Sequence, residues 1–298
     1  TDHATSVLNM QNGFIDQFED QTGVDDTNSV GELYAAANDY YRVSPAVPMV
    51  VFDGTNDYLI AASLTGMVDG KVGTVAFIYD PTGGDGVDQI FLTQYLTYFG
   101  VRKDGANKIH IYGYNSANAL ILGIASTTAY TSTSGPLHVM ASWDLASTTG
   151  KMYITPIGGS TVDETASTTF TNDTIDYLKA NTTWTVGTTY ALGNNTFGEL
   201  GRLYFNPLEY IDFSVQANRE KFITDAGVLV PLGSDGSLPT GTAPIVFLNN
   251  ELATWQENLG SGGNFTEYGA LTAGTDIVGD NMTLISEPQV ALTAPDSA

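Results

Sequence analysis

Residues 49–64 read MVVFDGTNDYLIAASL. An apolar run reaches Phe52-Asp53-Gly54, the chain turns through Thr55-Asn56-Asp57, and a second apolar run begins at Tyr58-Leu59-Ile60. Two strands around a tight turn make a hairpin, and Gly54 supplies the backbone freedom that a sharp reversal needs. Asp53 and Asp57 then have two possible uses. They accept backbone N–H bonds across the turn, or they offer carboxylate oxygens to a hard cation such as calcium.

The same texture extends outward. From about residue 47 to 206, short segments rich in β-branched and aromatic residues alternate with turn clusters. GTVAFIYDP (73–81), DQIFLTQYLTYFGV (88–101), NKIHIYGYN (107–115), LHVMASWDL (137–145) and KMYITPI (151–157) all show it. In the 107–115 segment the period of two puts Ile109 and Ile111 on one face and His110, Tyr112 and Tyr114 on the other. Leu137, Val139, Ala141 and Trp143 share a face and are assigned to the core. The Asp104-Gly105 pair reads as a hairpin turn with the glycine at positive φ. Only SVQANREKFI (214–223) breaks the β pattern, with Val215, Phe222 and Ile223 at helical spacing. A Gly/Pro-rich connector (227–244) leads to IVFLNN (245–250), another strand, and then to a Gly-rich stretch. Residues 1–44 are a polar, acidic lead-in, and the tail from 280 onward has no core-forming pattern.

Composition narrows the partners. The chain has 298 residues with 33 acidic against 10 basic side chains, a net charge of −23. Such a surface repels nucleic-acid phosphates and anionic membranes. Hydrophobic residues make up 42% and charged residues only 14%, so the polar surface is built largely of Thr, Ser, Asn and Gly. Cysteine is absent, which excludes disulfides and thiolate chemistry. No apolar run approaches the roughly 18 residues that cross a bilayer, so membrane insertion is not expected. The opening stretch has no basic region followed by an apolar core, so no secretion signal is expected there, and Thr1 fits either a removed initiator Met or a processed precursor.

The ordered set of motifs resembles the laminin-G-like, concanavalin-A-like jelly-roll family. VVFDGTNDYLIAAS (50–63) is similar to its FDG-containing hairpin, and GTVAFIYDP to its FTVSAWVKP-type strand. GPLHVMASWD (135–144) matches the WHHVAVTWD-type strand at His138, Val139, Trp143 and Asp144. KMYITPIGG (151–159) stands where the family has LYVDG, with Thr155-Pro156 replacing its acidic turn. WTVGTTYALGNNTFGELGRLYFNP (184–207) looks like the closing segment, followed by QANREKFI (216–223) in place of the usual short helix. The family's first strand has its best match at the far end, in 243–272, which implies a permuted closure.

The resemblance implies an all-β, antiparallel sandwich over residues 45–275, closed by a strand near 243–250. It carries one short helix, an N-terminal arm (1–44) and a C-terminal arm (276–298). Calcium at Asp53 and Asp57 is a family possibility; architecture is the first reading of that turn. Phage-encoded members of the family share the C-terminal closure. That narrower likeness implies a structural protein on the surface of a virion: a capsid decoration, head fibre or tail component. Its partners would be other virion subunits, most simply copies of itself, with arms adding strands to a neighbour's edge and the sandwich touching host surface glycans. The alternative is a free-standing carbohydrate-binding module. For either, Tyr95, Tyr98, Tyr112 and Tyr114 are the candidate glycan-stacking residues; the competing reading has period-two aromatics filling a core.

Catalysis is not expected. Glycosidases of this fold need clustered carboxylates, and Glu164, Glu199, Glu209, Glu257 and Glu267 each lack acidic partners at the required spacing. His3, His110 and His138 are dispersed with no triad or zinc pattern, and His138 is taken as a strand residue satisfied by a neighbour.

Overall fold

The computed structural model describes residues 46–179 and 182–277, together with the backbone of strands β1 (Val7–Gln11), β2 (Phe14–Glu19), β3 (Asp39–Arg42) and β20 (Thr283–Ser286). The chain divides into two units, Ala46–Ile277 and a terminal unit of Thr1–Pro45 with Val278–Ala298. In the terminal unit β1 pairs with β2 and β3 pairs with β20, both antiparallel.

The larger unit is an antiparallel sandwich. One sheet runs β14 (Ala166–Phe170), β10 (Leu120–Ala125), β9 (Ile109–Tyr114), β8 (Phe99–Lys103), β7 (Gln89–Gln94), β15 (Trp184–Val186), β5 (Tyr58–Ala61), β18 (Thr266–Tyr268). It is called the open sheet below. The other, the covered sheet, runs β13 (Val162–Asp163), β12 (Thr149–Pro156), β11 (Leu137–Asp144), β6 (Val72–Asp80), β16 (Phe197–Asn206), β4 (Met49–Asp53), β19 (Thr272–Ala273). Neighbours distant in sequence, such as β6–β16 and β7–β15, give the crossovers of a jelly roll. The ten-residue β16 shares one edge between two strands: β4 pairs with Phe197–Gly201 and β17 (Val246–Leu248) with Leu203–Phe205. The segment expected near 243–250 thus docks on the covered sheet. The ends of the unit meet at a two-bond bridge: Val47 N–H donates to the Ile277 carbonyl (2.9 Å) and Ile277 N–H to Val47 (3.0 Å).

Between the sheets lies a core of alternating side chains, including Phe52, Phe77, Phe91, Phe99, Trp143, Tyr177, Trp184, Phe205 and Trp255, all fully buried. In the opening hairpin both carboxylates accept backbone N–H groups. Asp53 is exposed and its Oδ1 accepts the N–H groups of Thr55 (2.7 Å) and Asn56 (3.1 Å). Asp57, only 5% exposed, accepts Asp53 N–H at Oδ2 (3.1 Å) and Ala270 N–H at Oδ1 (2.8 Å), so it ties the turn to the link between β18 and β19. Gly54 takes φ +74°, and a side chain there would collide with Phe197.

Three sequence expectations need correction. Only Gln216–Arg219 is helical, one turn, because Val215 is 48% exposed while Phe222 and Ile223 are pulled into a buried cluster just beyond the turn. In the β8–β9 turn Asn107, not Gly105, adopts positive φ (+61°), while the Asp104 carboxylate accepts Ala106 and Lys108 N–H at 2.9 and 2.8 Å. His138 is not satisfied by a neighbour: both ring nitrogens are buried without a hydrogen-bond partner. The cause is a second core. Residues Ile211, Phe213, Phe222, Ile223, Leu229 and Leu232 lie over the outer face of the covered sheet, against Met49, Ala76, Ile78, Met140 and Tyr204. His138 and Met140, on the face opposite Val139 and Ala141, are therefore as dry as the core itself.

Candidate functional site

Among the described residues, no such cover lies over one end of the open sheet's outer face. On β9, Ile109 and Ile111 point into the core while His110, Tyr112 and Tyr114 point outward and are half-buried. Tyr98 joins them at the end of a single 3₁₀ turn (Tyr95–Thr97). The Tyr98 and Tyr114 ring centroids are 6.2 Å apart and those of Tyr112 and Tyr114 6.0 Å, each pair edge-to-face.

Glycines set the floor beneath them. Tyr112 lies in register between Gly100 on β8 and Gly123 on β10. A side chain at Gly100 would collide with the Tyr112 ring, and one at Gly123 would press on Thr169. The result is a depression of about 510 Å³, walled by Arg102, His110, Tyr112, Tyr114, Ser167 and Thr169 among others, with no carboxylate in its lining.

The charged side chains around it are steered from behind. Arg102 lies 5.4 Å over the Tyr112 ring, with Nη1 3.4 Å from Asp88. His110 Nε2 stands 2.8 Å from Asp104. Burial pushes the His110 pKa below its ordinary value, against the opposing pull of Asp104. Burial likewise raises the Tyr112 phenol. Lys179 Nζ sits 4.9 Å over the Tyr98 ring and donates to the Ser116 carbonyl.

Lys103 holds this rim together. Its ammonium is fully buried and donates to the Gly84 carbonyl (2.9 Å) and Asn107 Oδ1 (2.8 Å), 3.8 Å from Asp85. Asp88 accepts Gly105 N–H (2.9 Å), and Asp85 accepts Ser132 N–H and Oγ–H (3.0 and 2.8 Å). The loops carrying Asp88 and Asp104, which face Arg102 and His110, are thus tied to one internal cation.

Of the four tyrosines expected from sequence, the fold brings Tyr98, Tyr112 and Tyr114 together. Tyr95 packs instead edge-on against Tyr190, with centroids 4.2 Å apart. Sequence reasoning missed Arg102, Ser167, Thr169 and Tyr190. Arg102 sits in β8, whose register against β9 no local pattern reveals, and Tyr190 belongs to a loop. His110 was already placed beside Tyr112 by alternation. Among the described residues, no group of three or more His, Asp or Glu side chains is placed to hold a metal ion. Glu164 is buried as a structural acceptor, bonded to Thr128 N–H, Thr128 Oγ–H and Tyr130 O–H.

No protein-family model matches the chain, and no curated protein matches it. Solved structures do. The heptameric SAP-like pentraxin of Limulus polyphemus matches at 13% identity and TM-score 0.44, over 76% of this chain and 94% of the pentraxin. The LG1-3 region of the laminin α2 chain matches at 12% and 0.42, over 76% of this chain but 34% of that fragment. The Ruminococcus gnavus IT-sialidase CBM40 bound to α2,6 sialyllactose matches at 14% and 0.30, over 51% of this chain and 92% of the module. These likenesses are slight; the sandwich stands on the chain's own two sheets.

Proposed function

We propose that the sandwich is a non-enzymatic carbohydrate-binding module whose site is the tyrosine-lined depression on the open sheet. The observation that carries this is the grouping of Tyr98, Tyr112 and Tyr114, turned outward above a floor kept low by Gly100 and Gly123. Outward aromatic rings with hydroxyl and guanidinium groups at their margins suit a sugar, which has apolar C–H faces and a polar rim. Ser167, Thr169 and Arg102 supply those margins. The lining lacks carboxylates although the whole chain carries −23, so the site is a polar, uncrowded patch on an acidic molecule.

A glycan array probed with the full chain, alongside Tyr112→Ala, tests this. Binding to a restricted set of glycans that falls at least about tenfold in the variant is expected. Equal signals for both proteins would remove the depression as the site.

A second reading, a surface component of a phage particle, draws on the terminal unit. Its two ladders, β1–β2 and β3–β20, have only two strands each among the described residues. Two-stranded ribbons are marginal alone, so their free edges favour neighbours in an assembly. In that setting the module would present its depression to host glycans. Native mass measurement of the full chain distinguishes the two: a monomer disfavours the particle role, and a closed homo-oligomer lost on deletion of residues 1–44 favours it.

A further inference from the structure

We infer that the site takes a run of several consecutive sugars, with Tyr190 and Tyr95 forming a second station beside Tyr98, Tyr112 and Tyr114. This rests on the carbohydrate reading above. The two aromatic groups are joined by one turn of chain. Tyr95 opens a 3₁₀ turn that ends at Thr97, whose φ of +61° reverses the chain, and Tyr98 is the cap that follows, so only two residues separate the two tyrosines. Within each group the rings are close: Tyr190 to Tyr95 is 4.2 Å in one, and Tyr98 to Tyr114 is 6.2 Å and Tyr114 to Tyr112 is 6.0 Å in the other.

The far station is held out deliberately. Tyr190 is 46% exposed and the neighbouring Leu192 is 52% exposed with φ +59°, a strained backbone for a leucine. Folding alone gives no reason to brace a loop that presents these side chains to water. Yet Thr189 N–H donates to the Gly193 carbonyl (3.0 Å), the Thr189 carbonyl accepts Leu192 N–H (2.9 Å), and Thr189 Oγ accepts Gly193 N–H (3.1 Å). Asn195 then donates to the Thr55 carbonyl at 2.6 Å, fastening the loop to the opening hairpin. A short ligand would use the depression and leave Tyr190 idle. A longer chain crossing the 3₁₀ turn engages both stations.

Isothermal titration of the full chain with cellulose-, chitin- and starch-derived ladders, each from mono- to hexasaccharide, tests the inference. In at least one ladder the affinity should climb by roughly tenfold or more with length and then level off. Tyr190→Ala, at an exposed site that leaves the fold intact, should abolish the climb while preserving the affinity for the shortest binder. Length-independent binding, or a Tyr190→Ala profile identical to wild type, overturns the extended track and leaves the depression as the site. If no ladder binds and the array also fails to separate wild type from Tyr112→Ala, the carbohydrate reading falls with it.

Discussion

The outer faces of the two sheets begin from the same pattern and end in opposite states. Both are made by the alternate residues of strands such as β9 and β11, whose partners on the other side fill the central core. Over the covered sheet, residues 211–232 bring Phe213, Phe222, Ile223 and Leu229 down onto Ile78, Met140 and Tyr204. Everything between is dried out, including His138, Ser142 and Arg202, the last at φ +44° with Nη1 bonded to the Val230 carbonyl (2.8 Å). Among the described residues nothing comparable lies over the β8–β10 end of the open sheet, and its tyrosines, arginine and imidazole are only partly buried. Polar side chains on a covered face become a cost that packing must offset; the same side chains on an open face keep water as a partner and carry no such cost.

The comparison breaks most visibly at the cover. Phe222→Ala should cost about 3–5 kcal/mol, as for other fully buried phenylalanines, read from denaturant midpoints. The folded fraction should keep its glycan binding, because the depression lies on the other sheet.

A pH series sharpens the contrast between the two histidines. Burial first, and then the nearby Arg202 charge, push the His138 pKa down to about 3. An unfolded histidine titrates near 6.5, so below that pH the unfolded chain takes up a proton that the folded chain refuses. Stability should therefore fall as pH drops from about 6.5 toward 3, by about 1.4 kcal/mol per pH unit from this residue. Urea unfolding of wild type against His138→Leu from pH 7 to pH 4.5 isolates the contribution: the variant's curve should lack that part of the slope.

The smallest effect on stability is expected at the floor of the depression. Gly100→Ala meets only the far end of the Tyr112 side chain, which can swing aside, so the cost should stay below about 1 kcal/mol. Displacing the ring should nevertheless lower glycan affinity as much as Tyr112→Ala does. A melting curve paired with one titration checks both.

The sandwich was legible because its signals are local. The FDG hairpin, the alternation of Ile109 and Ile111 against Tyr112, and the Leu137–Trp143 stripe each declare a face within a few residues. The same alternation put Tyr112 and Tyr114 on one face with His110, whereas Tyr98 reaches them from the end of a 3₁₀ turn. What sequence concealed is long-range. Whether a β face is open depends on a segment 70 or more residues away, as with His138 and Phe213. The helix expected over 214–223 shrank to one turn because Phe222 and Ile223 gain more by burial under Tyr204 than by helical propagation. The positive φ went to Asn107 because Asp104 and Lys103 both bind that turn, and Tyr190 came to the site only through a loop folded back to Tyr95.

The bridge between Val47 and Ile277 has a mechanical consequence. Both ends of the sandwich leave side by side on antiparallel strands, so tension applied between residues 47 and 277 themselves peels the unit open like a zipper. Its first resistance is one pair of hydrogen bonds, each worth about 1 kcal/mol net. Tension applied between the depression and the two termini held together does not load that pair in the peeling direction. The same pair of hydrogen bonds is thus a weak point for load entering between residues 47 and 277 and no weak point for load entering through the β8–β10 end of the open sheet.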